Sequence, residues 1–161
     1  MSNIDFIQVD AFTDQPFRGN PAAVVVLDGP VDEIWMQSVA NEMNLSETAF
    51  CHPSGNHGGS RATEWDLRWF TPVSEVDLCG HATLATAHVL ASEHEITGEI
   101  GFHTRSGRLS AVSGDYGIRL DFPVDLIETH DVTQAMGDAV GTEVVAAGRG
   151  ATDLLLEVVT A

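Results

Sequence analysis

Alternation of apolar and polar residues predicts most of the strands in this chain. Residues 4–12 alternate and then meet the turn Thr13-Asp14-Gln15-Pro16, which is typical of a strand that ends in a turn. The segment 17–21 predicts a second turn, and the Gly-rich, polar segment 54–60 predicts a loop. Further strands are predicted over residues 22–27, 47–52, 63–70, 99–104, 108–112, 117–122, 144–147 and 154–159.

The predicted helices differ in how much of their surface is apolar. Residues 31–43 carry apolar side chains at helical spacing after Pro30, which is typical of a helix with one buried face. Residues 80–94 are nearly all small or apolar, and a helix without a polar face is buried on all sides. We therefore expect the second helix to thread a sheet or barrel. A short third helix is predicted over 132–140.

These elements predict an α+β domain over residues 1–123. The strands at 99–122 are separated by Gly and Ser turns and predict an antiparallel meander. The composition changes after Pro123, where residues 125–133 predict a linker. Residues 124–161 are too few to bury a core of their own, so we expect them to be the start of an incomplete second unit.

The charge of the chain excludes several classes of function. The 161 residues include 24 acidic and 7 basic ones, which gives a net charge of −17, and every basic residue is Arg. Because such a surface repels phosphate groups, we expect no nucleic-acid or anionic-membrane partner. The absence of Lys excludes a lysine Schiff base and a Walker-type phosphate loop.

The cysteines and the N-terminus favour a cytoplasmic location. Two cysteines, Cys51 and Cys79, are too few for a disulfide framework. The first residues lack the basic and apolar regions of a signal peptide, and the longest purely aliphatic run, 22–27, is too short to span a membrane.

Three polar segments are candidates for chemistry. The first is Gly19-Asn20-Pro21, where Asn20 can present an amide to a ligand, and the second is the segment 44–48 around Glu47. The third leads into the buried helix, so that Gly80 and His81 stand at a helix N-terminus, where free N–H groups favour a substrate carboxylate. Each also has an ordinary structural interpretation, as a solvated Glu or a buried, hydrogen-bonded His.

No metal site is expected from the spacing of the metal-ligating residue types. His81 and His88 are two helical turns apart, and no His or carboxylate follows at the offset that would complete a pocket. The spacing of Cys79 and His81 is also not a common one for zinc.

Several motifs together resemble the PhzF-like phenazine-biosynthesis isomerase family, which shares the diaminopimelate epimerase fold. The resemblance covers residues 4–123 and implies a barrel-like mixed sheet wrapped around a central buried helix. The motifs that carry it are FRGNPAAV at 17–24, NLSETAF at 44–50, RWFTP at 68–72 and CGHATLA at 79–85.

The resemblance also implies a mechanism that uses no cofactor. Members of the family move a proton between carbons of a small carboxylated metabolite. Glu47 would be the acid and base, and His81 would steady the developing charge. Gly80 would help to hold the substrate carboxylate, with Ser46 and Asn20 as further substrate contacts.

The chain departs from the family pattern after Pro123. The family fold has two similar halves with the active site between them, and no motif of the second half follows here. The chain alone is therefore expected to be weak or inactive, and to need a complementing C-terminal half or a homodimer. Two alternatives stay open, a racemase of the same fold with Cys79 as the base, and a non-catalytic interaction or dimerisation module.

Overall fold

The structure is a computed structural model that describes residues 4–55, 63–115 and 117–159. Part of the predicted loop, residues 56–60, lies outside these ranges. The chain divides into two compact units between Pro123 and Val124. Within the described ranges, no helix is both long and apolar enough to cross a membrane.

The first unit is a mixed sheet with two helices. The sheet has eight strands in the order β1-β2-β3-β4-β6-β7-β8, with β5 paired to β4. The pairs β2–β3 and β4–β6 are parallel, and the other pairs are antiparallel. The elements are β1 (Ile7–Ala11), β2 (Asn20–Val26), α1 (Glu33–Met43), β3 (Glu47–Pro53), β4 (Glu64–Phe70), β5 (Glu75–Val76), α2 (Gly80–Ser92), β6 (Glu99–Thr104), β7 (Gly107–Gly114) and β8 (Gly117–Asp121).

These elements confirm the predicted α+β class and the meander of β6, β7 and β8. The predicted strands and helices of this unit are present, with ends displaced by a few residues. Asn20 and Pro21, which the sequence predicts to lie in a turn, instead begin β2, because they pair with Ala11 and Asp10 of β1. The two-residue strand β5 was not predicted, since its pairing with β4 leaves no periodic pattern.

Helix α2 lies inside the curve of the sheet. It contacts β1, β2 and β3 at one end of the strand order and β7 and β8 at the other, so the sheet curls around it. The hydroxyls of its buried threonines are satisfied locally, since Thr83 donates to the Cys79 carbonyl and Thr86 to the Ala82 carbonyl. This arrangement confirms the predicted barrel-like sheet around a central buried helix.

Helix α1 covers the opposite face of the sheet. Its N-terminus is capped by Asp32, whose carboxylate accepts hydrogen bonds from the N–H groups of Ile34 and Trp35. Its buried side chains form a second core with the outer face of the strands, made of Val25, Leu27, Met36, Ala40, Phe50 and Phe70. The sheet therefore separates two cores, one around α2 and one beneath α1.

Strand β3 shows how side chains are divided between the two cores. Ala49 and Cys51 belong to the core around α2, whereas Phe50 belongs to the core beneath α1. Successive side chains of a strand point to opposite faces, so Glu47 shares the face of Ala49 and Cys51. The carboxylate at the start of β3 is thus directed to the side where α2 lies.

The second unit contains a three-stranded antiparallel sheet and a short helix. Its elements are β9 (Glu128–His130), α3 (Gln134–Val140), β10 (Val144–Arg149) and β11 (Leu154–Val158), with strand order β11-β10-β9. The predicted linker over 125–133 was wrong where β9 forms, because this short polar strand is defined by its pairing with β10. That these residues begin a second lobe stays a prediction.

Gly19 allows β1 and β2 to approach closely, and its replacement tests this packing. A Cβ at this position would overlap the carbonyl oxygen of Ala11, which is backbone and has little freedom to move. We expect Gly19→Ala to lower the free energy of unfolding by about 1–3 kcal/mol, measured by urea denaturation. Gly29→Ala is the control, since a Cβ there meets no atom of the described residues within 4 Å. An equal loss in both variants would show that the contact with Ala11 is unimportant.

Candidate active site

Two parallel strands bring distant polar residues to the same end of the sheet. Asn20 begins β2 and Glu47 begins β3, and the parallel register pairs Ala22 with Glu47. Helix α1 ends at Met43 and is followed by its C-cap Asn44, which adopts the left-handed conformation with φ 51° and ψ 35° and so turns the chain towards β3. The end of α1 and the start of β3 therefore fix where Glu47 lies.

The N-terminus of α2 lies at the same place. Cys79 has an extended backbone as the N-cap, and α2 begins with Gly80 and His81. The Nε2 atom of His81 is 3.3 Å from Oε2 of Glu47 and 3.2 Å from Oγ of Ser46. The side chain of His81 is 9% exposed, so these two contacts are made by a buried ring.

Asn20 joins the group through Ser46. The Ser46 hydroxyl lies within hydrogen-bond distance of two acceptors, Oδ1 of Asn20 at 3.4 Å and the carbonyl oxygen of Pro21 at 3.3 Å. Asn20 and Ser46 are both exposed, whereas the side chain of Glu47 is 19% exposed. Exposure in this group therefore increases from the buried imidazole of His81 to Ser46 and Asn20, which a ligand in solvent can reach.

Cys79 contacts the other side of the same imidazole. Its Sγ is 3.4 Å from Nδ1 of His81. Burial raises the pKa of the Cys79 thiol to about 11, and the negative charge of Glu47 acts in the same direction. The backbone N–H groups of Ala82 and His81 oppose this pKa shift without cancelling it. At neutral pH the side chain is therefore a thiol, which has one proton to donate.

The start of α2 has free space beside Gly80. Among the described residues, no atom of another segment lies within 4 Å of the point where a side chain at Gly80 would begin, and the first turn contains no acidic residue. The N–H groups and the positive end of the helix dipole favour an anion at such a position. The role of Gly80 in binding a carboxylate stays a prediction.

Glu47, Cys79 and His81 are also close enough to be considered as metal ligands. One ligand atom from each lies within 4.8 Å of the others. Both ring nitrogens of His81, however, already have hydrogen-bonding partners, Cys79 at Nδ1 and Ser46 at Nε2, and Nε2 also lies 3.3 Å from Glu47. The ring therefore stands between the thiol and the carboxylate, while a metal ion needs three lone pairs directed at one point. The expectation that the site binds no metal stays a prediction.

Comparison with known proteins gives the family. A family model described as phenazine biosynthesis-like protein (PhzC-PhzF) matches residues 9–142. The chain belongs to this family. An uncharacterized isomerase from Halalkalibacterium halodurans is 49% identical over 153 residues, which cover 93% of this chain and 55% of the relative. The chain spans about half the length of the curated relatives it matches.

Solved structures of the phenazine biosynthesis-like family share the fold. A PhzF family protein from Enterococcus faecalis is 41% identical, with a TM-score of 0.83 over 95% of this chain and 56% of that chain. A predicted epimerase from Pseudomonas aeruginosa is 24% identical, with a TM-score of 0.72 over 98% of this chain and 60% of that chain, which shows likeness of fold alone. The predicted family and the predicted epimerase-like fold are confirmed.

The structure brings together residues that the sequence analysis assigned to separate motifs. Glu47, His81, Ser46 and Asn20 form one connected group, and Gly80 stands directly beside His81. Sequence analysis missed that Cys79 contacts the imidazole. The two residues are only two positions apart, but a helical spacing gives no reason to expect contact. The contact arises because Cys79 is extended and lies outside the helix.

The thiol of Cys79 is expected to react slowly with iodoacetamide near neutral pH. Because its pKa is raised to about 11, little thiolate is present at pH 7, and the rate should rise about tenfold per pH unit until the pH approaches that pKa. The measurement is the rate of alkylation by mass spectrometry in a Cys51→Ala background, with the urea-unfolded chain as control. A native rate that levels off near the ordinary cysteine pKa of about 8.5 would contradict the assignment.

Proposed function

We propose that this chain supplies half of the active site of a cofactor-independent isomerase that moves a proton between two carbons of a small carboxylated substrate. The observation that carries the proposal is the contact between Glu47 and His81 at 3.3 Å. It places a partly exposed carboxylate next to a buried imidazole at the start of a helix. Membership of a family with relatives named isomerases supports the same activity.

Glu47 is the acid and base of the proposed reaction. Its carboxylate removes a proton from a carbon of the substrate, and the electrons of that C–H bond move into the conjugated system of the substrate. The resulting carboxylic acid then returns the proton to a second carbon, so that one C–H bond breaks and another forms. No electron leaves the substrate, and the reaction needs neither an oxidant nor a coenzyme.

The residues around Glu47 hold the substrate in this proposal. The N–H at Nε2 of His81, which faces Glu47 in the free site, donates in the substrate complex to the oxygen on which negative charge develops. The N–H groups at Gly80 and the positive end of α2 bind the substrate carboxylate. Ser46 and Asn20, which are exposed and hydrogen-bonded to each other, provide further polar contacts.

The alternative with Cys79 as the base is less well supported. A base must accept a proton, and burial raises the pKa of this thiol to about 11, so it is already protonated near neutral pH. The only other cysteine of the sequence, Cys51, is buried in the core around α2 and belongs to β3. No specific observation favours a purely non-catalytic module.

The opposite wall of the active site is proposed to come from another chain or segment. The chain spans about half the length of its relatives, and Glu47 is partly exposed in the first unit. A complementing C-terminal half or a second copy would exclude water from the carboxylate. We also propose that the protein acts in the cytoplasm.

Replacement of Glu47 tests the proposed role directly. A chimera in which this chain replaces the matching region of the Halalkalibacterium halodurans relative is incubated in deuterated water with a panel of small carboxylates, among them a dihydroaromatic amino acid. We expect Glu47→Gln to reduce deuterium incorporation, measured by NMR, by about a hundredfold or more, because general acid–base catalysis contributes that much.

Glu42→Gln provides the matched control. Glu42 is an exposed residue of α1, five positions before Glu47 in the sequence, so its replacement removes the same charge from a residue outside the proposed site. Undiminished deuterium incorporation in a folded Glu47→Gln variant would sink the proposal, as would an equal loss in both variants.

A further inference from the structure

The imidazole of His81 has a hydrogen-bonding partner on each ring nitrogen. Nε2 of His81 lies 3.3 Å from Oε2 of Glu47, and an ionised carboxylate only accepts hydrogen bonds, so this approach is favourable when Nε2 carries the ring proton and repulsive when it presents a lone pair. Ser46 is compatible with this, because its hydroxyl proton has its own acceptors in Asn20 and Pro21 and its lone pairs are free to face Nε2.

The other ring nitrogen faces a group that has a proton to donate. The thiol of Cys79 lies 3.4 Å from Nδ1, within the range of a sulfur hydrogen bond. A neutral imidazole has one donor and one acceptor nitrogen, so a proton on Nε2 leaves Nδ1 as the acceptor for S–H. In this arrangement the Cys79 thiol donates to Nδ1 of His81, and the N–H at Nε2 faces the carboxylate of Glu47. Among the described residues, the titratable side chains in contact with the His81 ring are Glu47 and Cys79.

We propose that Cys79 is a positioning residue that holds His81 as the neutral imidazole with its proton on Nε2, directed at Glu47. The inference deepens the proposed function and rests on it for its catalytic meaning. A doubly protonated ring would form an ion pair with Glu47 and make the carboxylate a poorer base. A neutral ring leaves Glu47 free to accept a proton from the substrate and still donates a hydrogen bond.

The first test observes the S–H bond itself and needs no activity. In a Cys51→Ala background, Cys79 is the only thiol, and its S–H stretching band in the infrared reports whether it donates a hydrogen bond. We expect the band below the frequency of a free thiol, and a shift upward in His81→Phe, which keeps a ring but removes the acceptor. A missing S–H band, or one unchanged by His81→Phe, would overturn the proposal.

The second test follows the proton on the ring. The chain is labelled with ¹⁵N-histidine, and the two ring nitrogens of His81 are observed by NMR at pH 7. We expect an unprotonated Nδ1 and a protonated Nε2. Cys79→Ala should move Nδ1 towards the protonated position, whereas Cys79→Ser, whose hydroxyl also donates, should leave it unprotonated.

Cys51→Ala is the control that distinguishes loss of the Cys79 hydrogen bond from a general disturbance of the fold. It truncates the other buried cysteine, which lies in the core around α2, and we expect it to leave the His81 resonances in place. Spectra of Cys79→Ala and the original chain that do not differ would contradict the proposal, and so would a protonated Nδ1 in the original chain.

The deuterium assay then links the tautomer to the reaction. We expect Cys79→Ala to lower kcat in the chimera about three- to tenfold, as the loss of one hydrogen bond suggests, and Cys79→Ser to recover most of it. If Glu47→Gln leaves activity intact, the proposed function fails while the infrared and NMR results still decide the tautomer. If the infrared and NMR spectra contradict the predicted hydrogen bond and tautomer while Glu47→Gln is inactive, the proposed function stands and only the inference about Cys79 is wrong.

Discussion

The site depends on how closely the sheet approaches α2. The face-to-face distance between a helix and a strand is set by the side chains between them, and α2 presents Ala82 and Ala85, which are fully buried. Small residues let strands from both ends of the sheet contact one helix. Because most residues of α2 are buried, packing fixes the position of its first turn, and His81 is buried against Glu47.

Pairing between parallel strands supplies the second constraint. Because β2 and β3 run in the same direction, both strands begin at the same end, and polar residues 26 positions apart, Asn20 and Ser46, meet there. The alternation of β3 directs Glu47 to the face that carries α2. The catalytic candidates thus sit where regular elements begin, where backbone N–H groups are free of internal partners and side chains have room for a ligand.

Most of the fold follows from local pattern, but the site does not. The uniform apolarity of residues 80–94 predicted the buried helix, and alternation predicted the long strands of the first unit. The strands β5 and β9 could not be predicted, because strands this short are defined by pairing with their neighbours and their own sequence has no periodic pattern. The family motifs identified Glu47 and His81, whereas the contact of Cys79 with Nδ1 depends on the extended backbone of an N-cap, which no spacing rule records.

The charge of the chain makes the local electrostatics of the site important. An anionic substrate is repelled by a net charge of −17, but at 0.1 M salt charges beyond about 10 Å are largely screened. Within that distance the first turn of α2 carries no acidic side chain and offers N–H groups. In the proposed reaction Glu47 is the negative group that is required, and a neutral His81 would donate to it without cancelling its charge. The proposed function thus needs no basic side chain at the site: the start of α2 would bind the substrate carboxylate, and Glu47 would remain available as the base.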